Sequence, residues 1–384
     1  MNDVLTLPGP DLSRSATALG EEDGAVDQVL VCKRIHQVTA DMKTFVFEPT
    51  GPGLFRHDPG QYLAFTFDID GRESNRCYTL SSPPSRPDLA AITVKRVPGG
   101  RVSNWLHDQL TVGDVVRARG PLGRFSTVRH PAPAYLFLSG GSGVTPLISM
   151  TRTLYDLAAP VDVVFVHSAR TPEDIPFRHE LEMFAATSPN IRVTHVCEDD
   201  GARERWNGYR GRLTLGMLRE IAPDFRTREV FTCGPPGYMR AVRTLLLGAG
   251  LPEGRYHQES FEAPAPPSGQ APQPGSGPAP APASGPASGP GSGAGRGTGF
   301  TVELTRSGTT IECDAGTPVL EAAARAGLTL PSSCGQGLCG TCLTTLEKGS
   351  VDMRDNGGIR PRDRARNKIL LCCSTPLEDL VIDA

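Results

Sequence analysis

Three cysteines spaced Cys334-x4-Cys339-x2-Cys342, followed about thirty residues later by Cys372 and Cys373, constrain this chain more than any other feature of its sequence. Two bridged irons require four soft, anionic sulfur ligands, and this is the spacing of a [2Fe-2S] site. Between the ligands the backbone must wrap the cluster closely, with N–H groups turned toward sulfur and several residues at positive φ. Gly335, Gly337 and Gly340 fit that demand. A zinc site built from Cys339, Cys342, Cys372 and Cys373 is the competing reading, but zinc ribbons favour paired C-x2-C hooks and the first loop here is x4. A disulfide framework is disfavoured because the acidic N-terminal stretch lacks a basic region followed by an apolar one. The residues alone leave the fourth thiolate open between Cys372 and Cys373, and Cys313 is assigned to the core.

At 384 residues the chain is longer than one core usually absorbs, so several domains are expected. Residues 1–27 carry no periodic apolar pattern and read as a disordered tail. Over residues 28–130, apolar bursts at 29–32, 44–47, 62–67, 91–94 and 115–118 are separated by Gly, Pro and Asp, which suggests a small antiparallel β-barrel. Over residues 131–262 strand-like runs alternate with helical spacing, the signature of a parallel α/β domain. Residues 263–298 are almost entirely Ala, Pro, Gly, Ser and Gln and cannot bury enough apolar area to fold. Such a linker spans roughly 35 Å as a flexible coil. Residues 299–384 recover periodicity as an α+β (β-grasp) domain, small enough that bound metal would help hold it together.

Two further signals carry chemistry. Arg76-Cys77-Tyr78-Thr79 offers a cation for phosphate, a ring to stack on a tricyclic cofactor and a hydroxyl for a reactive ring nitrogen. Residues 95–106 read as a strand entering a helix near Ser103 through Gly100, Arg101 and Val102, and a helix start of that kind receives a pyrophosphate. Residues 120–125 read as a turn closing the barrel. In the α/β part, Gly140, Gly141 and Gly143 lead into Thr145 and Pro146, read as an N-cap and first helical residue. Cys233, Gly234 and Pro235 follow another buried strand at the same carboxyl edge, and together the two loops outline a nicotinamide cleft.

These residues, with the C-terminal cysteines, resemble the ferredoxin-NADP reductase superfamily. The resemblance is closest to oxygenase-type reductases ordered flavin, nicotinamide, ferredoxin, such as those serving glycine betaine demethylase, hybrid-cluster proteins and phenylacetyl-CoA epoxidase. It implies FAD on Arg76, Tyr78, Thr79 and the Gly100–Ser103 turn, with Thr79, Cys233 and Glu259 around the hydride-transfer position. The run Ile369-Leu370-Leu371-Cys372 resembles the strand that delivers the last ligand in plant-type ferredoxins, so the implied metal ligands are Cys334, Cys339, Cys342 and Cys372. Phthalate dioxygenase reductases share the domain order but use FMN, and the Gly100–Leu106 turn is more similar to the FAD branch. Ser168, Arg170 and Arg178 are candidates for the 2′-phosphate of NADPH. Similar arginines occur in NADH-using relatives, and the reading leans to NADH.

The implied activity is an NAD(P)H-dependent reductase passing electrons through FAD and the cluster to a partner metalloprotein. The expected partner is a Rieske-type oxygenase, with a hybrid-cluster protein as the alternative acceptor and a redox-sensing module as the alternative class. A net charge of −3 from 39 basic and 42 acidic residues offers no broad cationic face for nucleic acid and no polybasic membrane anchor, and a cytosolic chain is expected. The basic run Arg360, Arg362, Arg364, Arg366 and Lys368 before Cys372 reads as a solvated loop more readily than as a docking face. Anaerobically purified protein is expected to contain two irons and two acid-labile sulfides per chain. Zinc at stoichiometric level in elemental analysis would remove the cluster reading.

Overall fold

The computed structural model describes residues 26–51, 54–261 and 299–384, apart from residues 329, 333, 334, 336, 338, 339, 341, 356, 357 and 360. The linker expected at 263–298, together with Cys334, Cys339 and Arg360, lies outside the described residues. The chain divides into two compact units after Phe261.

The first unit begins with the expected antiparallel strands, each longer than its apolar burst. They are β1 (Val26–Thr39), β2 (Met42–Pro49), β3 (Tyr62–Ile69), β4 (Arg72–Thr79), β5 (Ala90–Lys95) and β6 (Val115–Leu122). Their order is β4-β3-β6-β1-β2-β5, and a bridge between Leu80 and Ile92 links the two edges. Alternation turns Leu63, Phe65, Phe67 and Ile69 of β3 into the barrel core, where each fully buried side chain contributes roughly 1.5–3 kcal/mol. Helix α1 (Arg101–Asp108) adds Val102 and Leu106 to that core. The strand β4 is one that hydrophobicity does not announce: RESNRCYT is polar, and only its pairing with β3 over eight positions makes it a strand. The Arg76–Thr79 run therefore ends the fourth strand. Residues 120–122 likewise belong to β6, and the turn begins at Gly123.

The α/β part carries six parallel strands: β7 (Ala134–Gly140), β8 (Asp162–Ala169), β9 (Ile191–Cys197), β10 (Tyr209–Arg210), β11 (Glu229–Cys233) and β12 (Tyr256–Glu259). Their order, β10-β9-β8-β7-β11-β12, reverses between β7 and β11. Loops leaving those two strands diverge to opposite faces and open a crevice at their carboxyl ends. Helices α2 (Val144–Asp156), α3 (Arg178–Thr187), α4 (Leu215–Ile221) and α5 (Pro236–Gly248) cover the sheet. Thr145 is not the N-cap of α2. Residues Gly141–Gly143 already wind into a 3-10 turn, so the cap falls on Gly143 and Pro146 sits inside the first turn, where its missing N–H costs nothing.

The second unit joins β13 (Gly299–Leu304), β14 (Thr309–Asp314), β15 (Leu343–Lys348), β17 (Lys368–Leu370) and β19 (Leu380–Ile382) in the order β14-β13-β19-β15-β17. A separate pair is formed by β16 (Val351–Met353) and β18 (Ser374–Pro376). Helix α6 (Val319–Arg325) packs Val319, Ala322 and Ala323 into the core, and α7 (Pro361–Arg364) is a single turn before β17. Cys313 is buried there with its thiol donating to the Thr317 carbonyl at 3.3 Å.

At the amino edge of the parallel sheet, Arg228 is 1% exposed. It donates to both Asp224 and Asp162, at 2.8 and 3.0 Å, and to the Tyr135 carbonyl at 3.1 Å. Asp162 and Asp224 are each pulled below the ordinary carboxylate range by hydrogen bonds from this guanidinium. Arg228→Ala removes the packing and leaves a buried carbonyl unpaired, so it is expected to cost about 3 kcal/mol, read as a lower urea midpoint at unchanged m-value.

Candidate functional site

The two lobes of the first unit meet where β4 and β12 end. Strand β12 pairs parallel with β11, and their register sets Glu259 beside Cys233. Thr79, the buried last residue of β4, directs its hydroxyl to the Glu259 carboxylate at 3.5 Å. Three residues distant in sequence thus converge on one edge. Glu259 keeps partial solvent exposure as a residue, but desolvation of its carboxyl raises its pKa to about 8, opposed by the Thr79 hydroxyl. Burial pushes the Cys233 thiol well above its usual value, and the nearby Glu259 carboxylate adds to the shift.

The glycines fit a close-approach site. A Cβ on Gly143 would collide with the Cys233 carbonyl, and one on Gly234 would stand 2.7 Å from the Tyr238 ring. Gly141 takes φ +52 in the turn between β7 and α2. Thr145 donates to the Ser142 carbonyl at 3.1 Å and so tightens that turn. Tyr238, which sequence reasoning missed, lies against both Gly140 and Gly234. An aromatic residue just after Pro235-Pro236-Gly237 was the available signal.

On the barrel side, Arg76 is exposed and spends one guanidinium N–H on the neighbouring Asn75 carbonyl. Alternation places Tyr78 with Arg76 on one side of β4 and Cys77 with Thr79 on the other. Tyr78 packs against Phe65 and Phe67 with ring centroids 6.0 and 6.4 Å apart. Helix α1 begins at Arg101 rather than near Ser103, with Gly100 as its N-cap, and no side chain caps it. Its first-turn N–H groups have no partner within the helix, which suits a phosphate. Ser103 accepts from the Val97 N–H at 3.1 Å and so closes the preceding turn. The Arg101 side chain is turned back to the Ile69 carbonyl, leaving its backbone for the cofactor. This set of donors and open turns fits a flavin dinucleotide.

Of the three residues considered for a 2′-phosphate, only Arg178 is firmly engaged, with Glu204 at 2.6 Å and Glu182 at 2.9 Å. Arg170 is exposed, 3.6 Å from Asp174 and 3.9 Å from Asp41, and the buried Ser168 hydroxyl has no hydrogen-bond partner among the described residues.

In the second unit, β15 and β17 pair antiparallel with Leu343 opposite Leu370. That register brings Cys342, just before β15, and Cys372, just after β17, to the same edge, both buried. The Gly337 N–H donates to the Cys372 sulfur at 3.1 Å. Cys373 is half-buried and directs its thiol to the Leu370 carbonyl at 3.6 Å. Gly335, Gly337 and Gly340 have φ of +66, +69 and +73. A backbone N–H aimed at a cysteine sulfur from a left-handed glycine loop fits an iron–sulfur cluster.

Three family models match the chain: an oxidoreductase FAD-binding domain over residues 30–127, an oxidoreductase NAD-binding domain over 137–244 and a 2Fe-2S iron-sulfur cluster binding domain over 302–377. The glycine betaine monooxygenase reductase subunit of Pseudomonas aeruginosa is 46% identical over 352 residues, 92% of this chain and 94% of that one. The stachydrine N-demethylase reductase subunit of Rhizobium meliloti is 40% identical over 89% of this chain and 92% of its own length. Among solved structures, phthalate dioxygenase reductase superimposes with a TM-score of 0.52 at 26% identity, covering 94% of this chain and 98% of that one. The cofactors are accordingly FAD, a [2Fe-2S] cluster and a nicotinamide dinucleotide. The chain belongs to the family of flavin-dependent oxidoreductases that serve as the electron-transfer reductase component of oxygenase systems.

Proposed function

We propose that this protein is the NADH-dependent reductase of a Rieske-type oxygenase that demethylates a quaternary ammonium substrate of the glycine betaine kind. The observation that carries the reading is the convergence of Thr79, Cys233 and Glu259 at the end of β4 and at the crevice of the parallel sheet, in a chain aligned nearly end to end with glycine betaine monooxygenase reductase subunits. FAD accepts two electrons together and releases them singly, which matches a hydride donor to a one-electron cluster. Arg76 and the first turn of α1 hold its phosphates, and the Tyr78 ring lies against its ring system. Cys233 would pack at the nicotinamide, the Thr79 hydroxyl holds the Glu259 carboxyl in place beside the flavin position, and that carboxyl would hold a proton. The thiolates of Cys334, Cys339, Cys342 and Cys372 hold the cluster. The need for a supply of NADH favours a cytoplasmic location.

The engagement of Arg178 by Glu204 and Glu182 supports NADH over NADPH. We expect kcat/KM for flavin reduction to favour NADH by about tenfold or more. Comparable efficiency with NADPH would overturn the preference.

The raised pKa of Glu259 gives a pH signature. The folded protein retains this proton up to about pH 8, whereas the unfolded chain releases it near an ordinary carboxyl value. Stability contributed by the neutral carboxyl is therefore complete below about pH 4.5 and declines as pH rises toward 8. Glu259→Gln should abolish that slope in urea titrations. It should also lower the stopped-flow rate of flavin bleaching by NADH roughly 10²-fold, with loss of the corresponding limb of the pH profile. A variant with the parental rate and profile would exclude Glu259 from proton handling.

A further inference from the structure

Charge is distributed very unevenly in the second unit. Residues 299–384 contain nine basic and eleven acidic side chains, yet six of the basic ones and only two of the acidic ones fall within residues 354–368. The remainder of the unit carries three basic against nine acidic residues. A small domain polarised in this way presents its basic end to any negative surface it approaches.

The basic segment starts at the cysteine region and leads back to it through β17. The Arg354 N–H donates to the Cys373 carbonyl at 3.0 Å, and the Gly358 N–H donates to the carbonyl of Gly337, the residue whose own N–H reaches Cys372. Arg354 and Gly358 are therefore tied by their backbone to residues at the cysteines, and α7 leads into β17, the edge strand that ends two residues before Cys372. Arg364 is paired with Asp355, and Arg354 with Asp352 at 3.0 Å. Arg362 and Arg366 are exposed and have no ion pair among the described residues, and Lys368 at the strand's start has none either.

Two electron-transfer partners must meet this cluster, and only one needs charge to find it. The flavin is on the same polypeptide, so its encounter is intramolecular and its effective concentration is set by the covalent connection. Residues 26–261 moreover carry 28 basic and 25 acidic side chains, a net excess of the same sign as the 354–368 segment. A separate acceptor has to be captured from solution. Resting on the reading of this chain as an oxygenase reductase, we propose that Arg362, Arg366 and Lys368 form the docking face for an acidic surface of the terminal oxygenase, holding it on the cluster-binding unit.

The test uses the full-length holoenzyme with the oxygenase subunit of a glycine betaine monooxygenase as acceptor. It compares the parental chain, the R362E/R366E double variant and a charge-matched control, R306E/R325E, whose exposed sites lie outside the basic segment. NADH-driven ferricyanide reduction and bleaching of cluster absorbance report on the flavin and internal transfer. Reduction of the oxygenase reports on docking. At low ionic strength R362E/R366E should reduce the oxygenase at least about tenfold more slowly and lose the dependence on added salt, with cluster bleaching unchanged and the control near the parental rate. Parental oxygenase reduction by R362E/R366E, or an equal loss in the control, would overturn the docking face. So would loss of cluster bleaching in R362E/R366E, since the face would then serve internal transfer. A parental chain that bleaches its cluster yet fails to reduce the oxygenase would instead overturn the acceptor reading, and the docking face with it.

Discussion

Contact between a glycine and a carbonyl sets the geometry of the nucleotide-binding half. Gly143 lies so close to the Cys233 carbonyl that no side chain fits between them, which draws the start of α2 against the end of β11. Those two segments leave the sheet at the place where strand order reverses, the one point along its carboxyl edge where neighbouring loops part. The crevice is thus a product of topology, and the glycine determines how tightly its floor closes. Tyr238, resting on Gly140 and Gly234, fills the wall that the missing side chains leave open.

Strand register does the remaining positioning. Glu259 belongs to a four-residue edge strand held by one neighbour, and pairing opposite Cys233 is what carries it to the barrel residue Thr79. A slip of one residue would turn the carboxyl to the other face of the sheet. The same logic operates in the cluster-binding unit, where the pairing of Leu343 with Leu370 delivers two cysteines thirty residues apart to one edge.

The sequence made the chemistry legible where a residue's role depends on local spacing. The cysteine motif and its glycines could be read directly, because a loop wrapping a cluster needs positive φ whatever surrounds it, and the three glycines adopt it. Buried strands such as β7 and β11 were legible for a similar reason: both faces are covered, so their apolar runs are continuous. Strand β4 was hidden by its polar composition, although it carries the Arg76–Thr79 run. Helix starts were displaced by two residues at both Ser103 and Thr145, since in both places a glycine turn enters the helix before the first side chain that resembles a cap. Engagement of Arg178 by Glu204 could not be foreseen, because the two are 26 positions apart and meet only after α3 and the following loops fold.

The division into two units follows from the difference between a hydride and an electron. A hydride moves only between atoms in contact, so its donor and acceptor sites must be fixed against each other. Here that requirement is met by packing between the lobes of the first unit: Ser149 donates to the Ser82 carbonyl at 2.7 Å, Arg152 to that of Ser81 at 2.6 Å, and Thr79 reaches Glu259. A single electron crosses a gap without bond formation and needs only brief proximity. The cluster can therefore occupy its own fold, with its own core and a charge distribution unlike that of the first unit. Rigid contact for the paired electrons and separable units for the single ones are what the chemistry of each step permits.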